Sequence, residues 1–129
     1  MTKQKRWVLL KHTCDPRDSR GIHFDLLLEE RNGCRTWRLL EIPVIDGPDV
    51  QASIAPIHKL QWLEREEAKV SGDRGWAQRV KNGIYKGCLP ISNKTPFCIE
   101  LHIQKEITWL TMENGLCRIR SDYVKVFDS

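Results

Sequence analysis

The sequence lacks any hydrophobic run that approaches the roughly 20 residues of a membrane-spanning helix. Its longest apolar runs, residues 7–10 and 26–28, have the length of strands. The apolar stretch that begins at Trp7 is also too short for the core of a signal peptide. We therefore expect no membrane contact and a location in the cytoplasm.

The chain also lacks cysteines at the spacing of a zinc site. Its five cysteines are an odd number, lie far apart in sequence and include no C-x-x-C pair. A cysteine-based metal site is therefore not expected. Reduced thiols in a cytoplasmic protein are the simplest interpretation.

The overall composition is that of an ordinary soluble domain. Hydrophobic residues make up 40% and charged residues 29% of the chain, a balance typical of globular proteins. A length of 129 residues fits one domain with one core. The formal net charge of +4 permits contact with phosphates without requiring it. We expect a single domain over residues 1–129 and a monomer.

Short apolar runs separated by turn residues recur along the chain and predict strands. The predicted strands are residues 7–12, 22–30, 34–40, 57–63, 75–80, 84–89, 96–104, 107–112, 116–120 and 123–127. Asn-Gly pairs at 32–33, 82–83 and 114–115 are strong hairpin signals. This pattern predicts an all-β fold with little helix, a compact antiparallel β-barrel of about eight strands.

Two stretches do not follow the strand pattern. Residues 60–70 are the one helix candidate in the sequence. Residues 43–56 contain three prolines and are interpreted as a long loop.

The most informative stretch is His23-Phe24-Asp25. Side chains on a strand alternate faces, so His23, Asp25 and Leu27 share one face while the apolar residues between them share the other. An imidazole beside a carboxylate can bind Zn, Mn or Fe(II). For this pair alone, two groups that face solvent are the plainer interpretation. His12 and His58 lie on other predicted strands, so three of the four histidines are at positions that can converge.

Five short motifs occur in a fixed order: Lys11-His12, His23-Phe24-Asp25, Leu28-Glu29, Thr36-Trp37 and His58-x-Leu60-x-Trp62. In this order they resemble the 3′-phosphoesterase domain family of bacterial DNA ligase D, whose motifs run K-H, H-Y-D-F-R-L-E, S-W and later H-P-L-x-Y. Arg74-Gly75 and residues 82–85 resemble the glycine-rich strand and the R-G-x-Y segment of that family. The resemblance covers roughly residues 6–90.

The resemblance implies a compact β-barrel with an active site that depends on Mn²⁺ or another divalent metal such as Zn²⁺. It implies that His12, His23 and Asp25 bind the metal, and that His58 contacts the scissile phosphate or acts as general acid. The implied reaction removes a 3′-phosphate or a 3′-terminal ribonucleotide from a DNA or RNA end during DNA repair. Any ligase or polymerase partner is expected to be a separate protein.

The sequence departs from the family pattern at two positions. The arginine two residues after the motif aspartate is Leu27, which cannot bind phosphate as a planar guanidinium does. The tyrosine of the later motif is Trp62, whose aromatic ring is still expected to contact substrate but cannot accept a proton. The arginines that could replace the missing phosphate clamp are Arg17, Arg20, Arg38 and Arg74. For each of them, a solvated surface charge is the plainer interpretation.

Two other functions stay open at this point. A non-catalytic relative would bind metal and nucleic-acid ends without turnover, because the clamp arginine is missing. A non-haem iron oxygenase would combine His23 and Asp25 with His58 or His102 as a two-histidine, one-carboxylate triad. The chain is short for such an enzyme, and His102 is expected on the polar face of its strand.

Overall fold

A computed structural model of the chain describes residues 4–13, 21–70 and 75–127. Within these ranges the secondary structure consists of β-strands and two short 3₁₀ turns, Leu60–Leu63 and Tyr123–Phe127. The strands are β1 (Lys5–Thr13), β2 (Ile22–Glu29), β3 (Cys34–Leu39), β4 (Val50–His58), β5 (Glu67–Lys69), β6 (Trp76–Lys86), β7 (Phe97–Ile103), β8 (Glu106–Glu113) and β9 (Leu116–Arg120). In this part of the chain, no helix has the length and apolar character needed to cross a membrane.

Eight of the strands form a closed antiparallel ring in the order β1-β2-β3-β4-β9-β8-β7-β6. β6 closes the ring by pairing with the whole of β1, from Lys5 opposite Tyr85 to Thr13 opposite Trp76. β5 pairs with the start of β6, and β7 pairs with its end. The predicted all-β fold of about eight antiparallel strands is therefore confirmed.

The main core fills the inside of the ring. Every ring strand contributes at least one buried apolar side chain to a single cluster. Trp7 and Leu9 of β1 and Leu26 and Leu28 of β2 belong to it, in the alternation that a strand requires. Because all eight strands supply members, this cluster lies on the concave side that they enclose.

A second, smaller cluster covers part of the outside of the ring. It consists of Val8, Leu10, Leu27, Cys34 and Leu63, with Trp62 packed against it. The first four residues lie on the outer face of β1, β2 and β3. Leu63 and Trp62 belong to residues 59–70, which we call the covering segment. This outer cluster holds the covering segment against the ring.

The helix predicted for residues 60–70 is wrong. The covering segment forms a single 3₁₀ turn and then the short strand β5. The amide of Arg79 donates to the carbonyl of Glu66 at 2.6 Å. The amide of Val70 donates to the carbonyl of Gly75 at 2.9 Å. Pairing with β6 satisfies the backbone in an extended conformation, which overrides the local helix propensity.

The hairpin predicted at Asn82-Gly83 is also wrong, because β6 runs straight through it as one strand in place of the predicted strands 75–80 and 84–89. Gly83 serves close packing instead. A Cβ atom there would lie 2.2 Å from the carbonyl oxygen of His102 and 2.7 Å from Nε1 of Trp7. That indole nitrogen donates to the same carbonyl at 3.0 Å. The glycine thus lets β1 and β7 approach β6 closely.

The other two Asn-Gly pairs do join neighbouring strands. Residues 32–33 connect β2 to β3, and Asn114 and Gly115 connect β8 to β9 with φ of 52° and 73°. Both angles lie in the left-handed region that a type I′ hairpin turn requires. The predicted loop 43–56 ends earlier than expected, because β4 begins at Val50. The predicted strands 57–63 and 123–127 are wrong over most of their length, where 3₁₀ turns occur instead.

Candidate metal centre

His12, His23 and Asp25 form a group that can hold a metal ion. One ligand atom from each lies within 4.8 Å of the others. His12 is directly opposite His23 in the β1–β2 ladder, and Asp25 follows on the same face of β2. Nδ1 of His12 lies 2.9 Å from Nε2 of His23, which lies 3.5 Å from Oδ1 of Asp25. Strand alternation and one cross-strand pair are enough to bring the three groups together.

Burial of these groups favours a bound cation. His23 is 3% exposed and Asp25 is 5% exposed. A buried carboxylate is costly unless its oxygens are paired, and Oδ1 of Asp25 has no hydrogen-bond partner. Two imidazoles and one carboxylate suit Mn²⁺, Zn²⁺ or Fe²⁺. The residues present therefore fit a divalent ion.

His58 lies beside this group with a defined orientation. Its Nδ1 lies 3.0 Å from the carbonyl oxygen of Pro56 and 3.0 Å from Oγ1 of Thr36. The Thr36 hydroxyl donates to the carbonyl of Cys34, so both neighbours accept from Nδ1. Nδ1 therefore carries a proton, and Nε2 faces Oδ2 of Asp25 at 3.7 Å.

Cys34 lies in the outer cluster beneath the centre, and its thiol is unsuited to metal binding. Burial, with a smaller contribution from the nearby carboxylate of Glu29, raises the pKa of this thiol to about 11. Sγ donates to the carbonyl of Lys59 at 3.9 Å. The protonated thiol therefore joins the covering segment to β3 and leaves metal binding to the histidines and Asp25.

Among the arginines considered for the phosphate clamp, Arg38 is next to the centre. It is the cross-strand neighbour of Asp25 in the β2–β3 ladder, and its Nε lies 3.9 Å from Oδ1 of Asp25. That Nε is buried without a hydrogen-bond partner. Leu27 is fully buried in the outer cluster, so position 27 does not reach the pocket. Arg17, Arg20 and Arg74 lie outside the described residues.

A pocket of about 430 Å³ opens over the centre, between the ring and the covering segment. His12, Asp25, Arg38 and His58 line it from the ring. Among the described residues, its charged lining consists of four cations and one carboxylate: Arg38, Lys59, Arg65, Lys69 and Asp25. A concave surface with this excess of positive charge attracts anions.

Trp62 is at the edge of the same pocket. Its ring centroid is 6.4 Å from that of His58, in an edge-to-face arrangement. The guanidinium carbon of Arg65 lies 5.2 Å from the centroid of the indole ring. The aromatic ring predicted to contact substrate is thus a half-buried wall of the pocket, stacked with a cation.

His102 does not join the group. It lies on β7, where its Nε2 is 2.5 Å from Oε2 of Glu100. The oxygenase triad that would use His102 is therefore not formed among the described residues. The sequence interpretation assigned no role to Thr36 or to the cations of the covering segment. Those cations reach the pocket because the outer cluster and the pairing of β5 with β6 fix the segment on the ring.

In sequence comparisons, no protein-family model and no curated protein matches this chain. Membership of the 3′-phosphoesterase domain family therefore stays a prediction from the ordered motifs.

Proposed function

We propose that the protein is a divalent-metal-dependent phosphoesterase that acts on 3′ ends of nucleic acid in DNA repair. It would remove a 3′-phosphate or a 3′-terminal ribonucleotide. The observation that supports this is the convergence of His12, His23 and Asp25 at a pocket that His12 and Asp25 line and whose remaining charged lining is cationic. We propose Mn²⁺ as the metal, with Zn²⁺ as the alternative for the same donor set.

In this proposal His12, His23 and Asp25 hold the metal, and Arg38 binds the phosphate beside it. A divalent ion, when bound, neutralises phosphate charge and polarises the P–O bonds. Nε of Arg38 has no hydrogen-bond partner and lies 3.9 Å from Oδ1 of Asp25, beside the carboxylate that would hold the metal. The guanidinium would thus supply from β3 the phosphate contact that Leu27 cannot supply from β2.

His58 would act as the general acid. Since Nδ1 donates to the carbonyl of Pro56 and to Thr36, the proton for the leaving group would come from Nε2 of the imidazolium. Nε2 is the nitrogen that faces Asp25. Loss of phosphate from a 3′ end leaves a sugar oxygen that must be protonated, and a positioned imidazolium can supply that proton.

The proposed reaction is tested with a labelled DNA primer that ends in a 3′-phosphate and a second primer that ends in one ribonucleotide. We expect Mn²⁺-dependent conversion of at least one of them to a 3′-hydroxyl end. Asp25→Asn, which keeps the shape of the side chain, and Asp25→Ala should both lower the rate by 10²-fold or more, as roughly expected for loss of a key charged group. Product formation by the variants at the wild-type rate would overturn the proposal.

The second candidate is a relative that binds metal and nucleic-acid ends without turnover. It is favoured by the buried Leu27 and by Trp62, because both replace groups of the family pattern. It predicts binding of DNA or RNA ends that weakens steeply with salt, and no product. Filter binding that detects no affinity for either nucleic acid at low salt would exclude it.

For both candidate functions we propose that the protein is a monomer in the cytoplasm.

A further inference from the structure

The pocket has two chemically different ends. The ring supplies Asp25, Arg38 and His58, which suit a metal ion and a phosphate. The covering segment supplies Trp62 with Arg65 stacked on it. A ligand that fills the pocket therefore meets the carboxylate, Arg38 and His58 at one end and the indole ring with its stacked guanidinium at the other, where Lys59 and Lys69 add positive charge.

His58 separates these two ends. Its Nε2 is 3.7 Å from Oδ2 of Asp25, and its ring centroid is 6.4 Å from that of Trp62. In a nucleotide, the sugar separates the phosphate from the base in a comparable way. Nucleobases stack on aromatic rings and on guanidinium planes, and every base offers a π-face for this.

The size of the pocket limits what can enter. Its volume of about 430 Å³ is near the lower end of the range for small-molecule sites, roughly 300–1,000 Å³. One nucleotide fits this space, and a base that enters between the ring and the covering segment leaves its pairing partner outside the pocket. A terminal nucleotide that is paired in a duplex must therefore separate from its partner before it enters, which costs free energy.

We infer that the pocket binds a single unpaired 3′-terminal nucleotide, with its phosphate toward Asp25 and Arg38 and its base on the Trp62–Arg65 stack. This inference rests on the proposed function and specifies its substrate class. Single-stranded or frayed 3′ ends are the preferred ligands, and a blunt duplex end is a poor one. The preference depends on the base of the last nucleotide and on the indole ring of Trp62.

The test measures binding of 5′-fluorescein-labelled DNA by anisotropy with the full chain and without Mn²⁺, so that the probes stay intact. The three probes are a single strand ending in a normal nucleotide 3′-phosphate, the same strand ending in an abasic 3′-phosphate, and a blunt duplex. The variants are Trp62→Leu, Trp62→Phe and Trp109→Leu. Trp109 is a half-buried tryptophan on β8, outside the pocket, and it packs against Tyr123.

We expect the wild-type protein to bind the normal single strand roughly tenfold more tightly than either the abasic strand or the duplex, as base stacking predicts. Trp62→Leu should weaken binding of the normal strand by a similar factor and change binding of the abasic strand less than about twofold. Trp62→Phe should retain most of the affinity, and Trp109→Leu all of it. If Trp62→Leu does not fold, Trp62→Met keeps an apolar side chain against Leu63 and is measured instead.

Equal effects of Trp62→Leu on the normal and abasic strands, or no effect on either, would overturn the inference. So would wild-type protein that binds none of the probes. Turnover of the two single strands with Mn²⁺ is measured separately. If neither strand loses phosphate and the primer that ends in one ribonucleotide is not converted either, the proposed function fails, while base-dependent binding through Trp62 would still support the inference.

Discussion

Thr36 and the carbonyl of Pro56 determine which nitrogen of His58 faces the candidate metal centre. Both accept from Nδ1, and Thr36 is 3% exposed, so no solvent competes at the hydroxyl. Partners of this kind orient an imidazole and set its tautomer. The role of Thr36 is therefore positional, since it acts through His58.

Replacing Thr36 by Val removes the hydroxyl and keeps the branched shape, whereas Thr36→Ser keeps the hydroxyl. We expect Thr36→Val to lower the rate of 3′-phosphate release by roughly tenfold, the lower end of the effect of losing such a partner. Thr36→Ser should stay close to wild type, and Mn²⁺ affinity should change little in either variant. Equal losses in the two variants would show that packing, and not the hydroxyl, matters at this position.

Arg38 is the residue on which substrate binding depends most in this account. Arg38→Gln should lower kcat/KM for a 3′-phosphorylated primer by roughly 10²- to 10³-fold, because a preorganised charged donor is lost. Arg38→Lys should recover part of the loss, since it restores charge without the planar fork. The control is Arg31→Gln, which removes one charge from an exposed residue in the β2–β3 turn. Loss of the same size in Arg31→Gln would indicate a general charge effect.

At the scale of elements, strand alternation predicted the site well. His23, Asp25 and Leu27 do share a face, and the register of β1 and β2 places His12 opposite His23. The burial of that face could not be read from the strand itself. Leu27 is covered because it packs in one cluster with Leu63, which is distant in sequence, and packing of this kind leaves no local pattern.

The covering segment shows where local signals fail. Its charged residues suggest a helix, yet its backbone pairs with β6, and its Trp62 and Leu63 pack on the outer face of the ring. Three of the four cations that line the pocket, Lys59, Arg65 and Lys69, come from this segment. They could not be assigned from sequence, because their placement depends on tertiary contacts that override propensity.

Gly83 gives a direct test of the continuous strand β6. Gly83→Ala would place a methyl group against the carbonyl of His102 and the indole of Trp7, so we expect a loss of roughly 1–3 kcal/mol in the free energy of unfolding. Asn82→Ala changes the neighbouring exposed residue and should cost less than about 0.5 kcal/mol. Urea denaturation measures both. A larger loss for Asn82→Ala than for Gly83→Ala would favour a hairpin turn at this pair.

At the scale of the whole molecule, the ring places the candidate site on its outer surface. The inside is filled by the main core, and Asp25 lines the pocket between the ring and the covering segment. The all-β class and the hairpins at residues 32–33 and 114–115 could be predicted from local turn signals. The closure of β1 on β6 could not, because the two strands are far apart in sequence and no local turn signal joins them.

The central claim is that His12, His23 and Asp25 bind one divalent cation beside a phosphate site. A crystal structure of the protein soaked with Mn²⁺ and phosphate, with anomalous data for manganese, tests it most directly. We predict one anomalous peak coordinated by the two imidazoles and the carboxylate, with phosphate between the metal and Arg38. A map without a peak at these residues, or with the three side chains apart, would contradict the account.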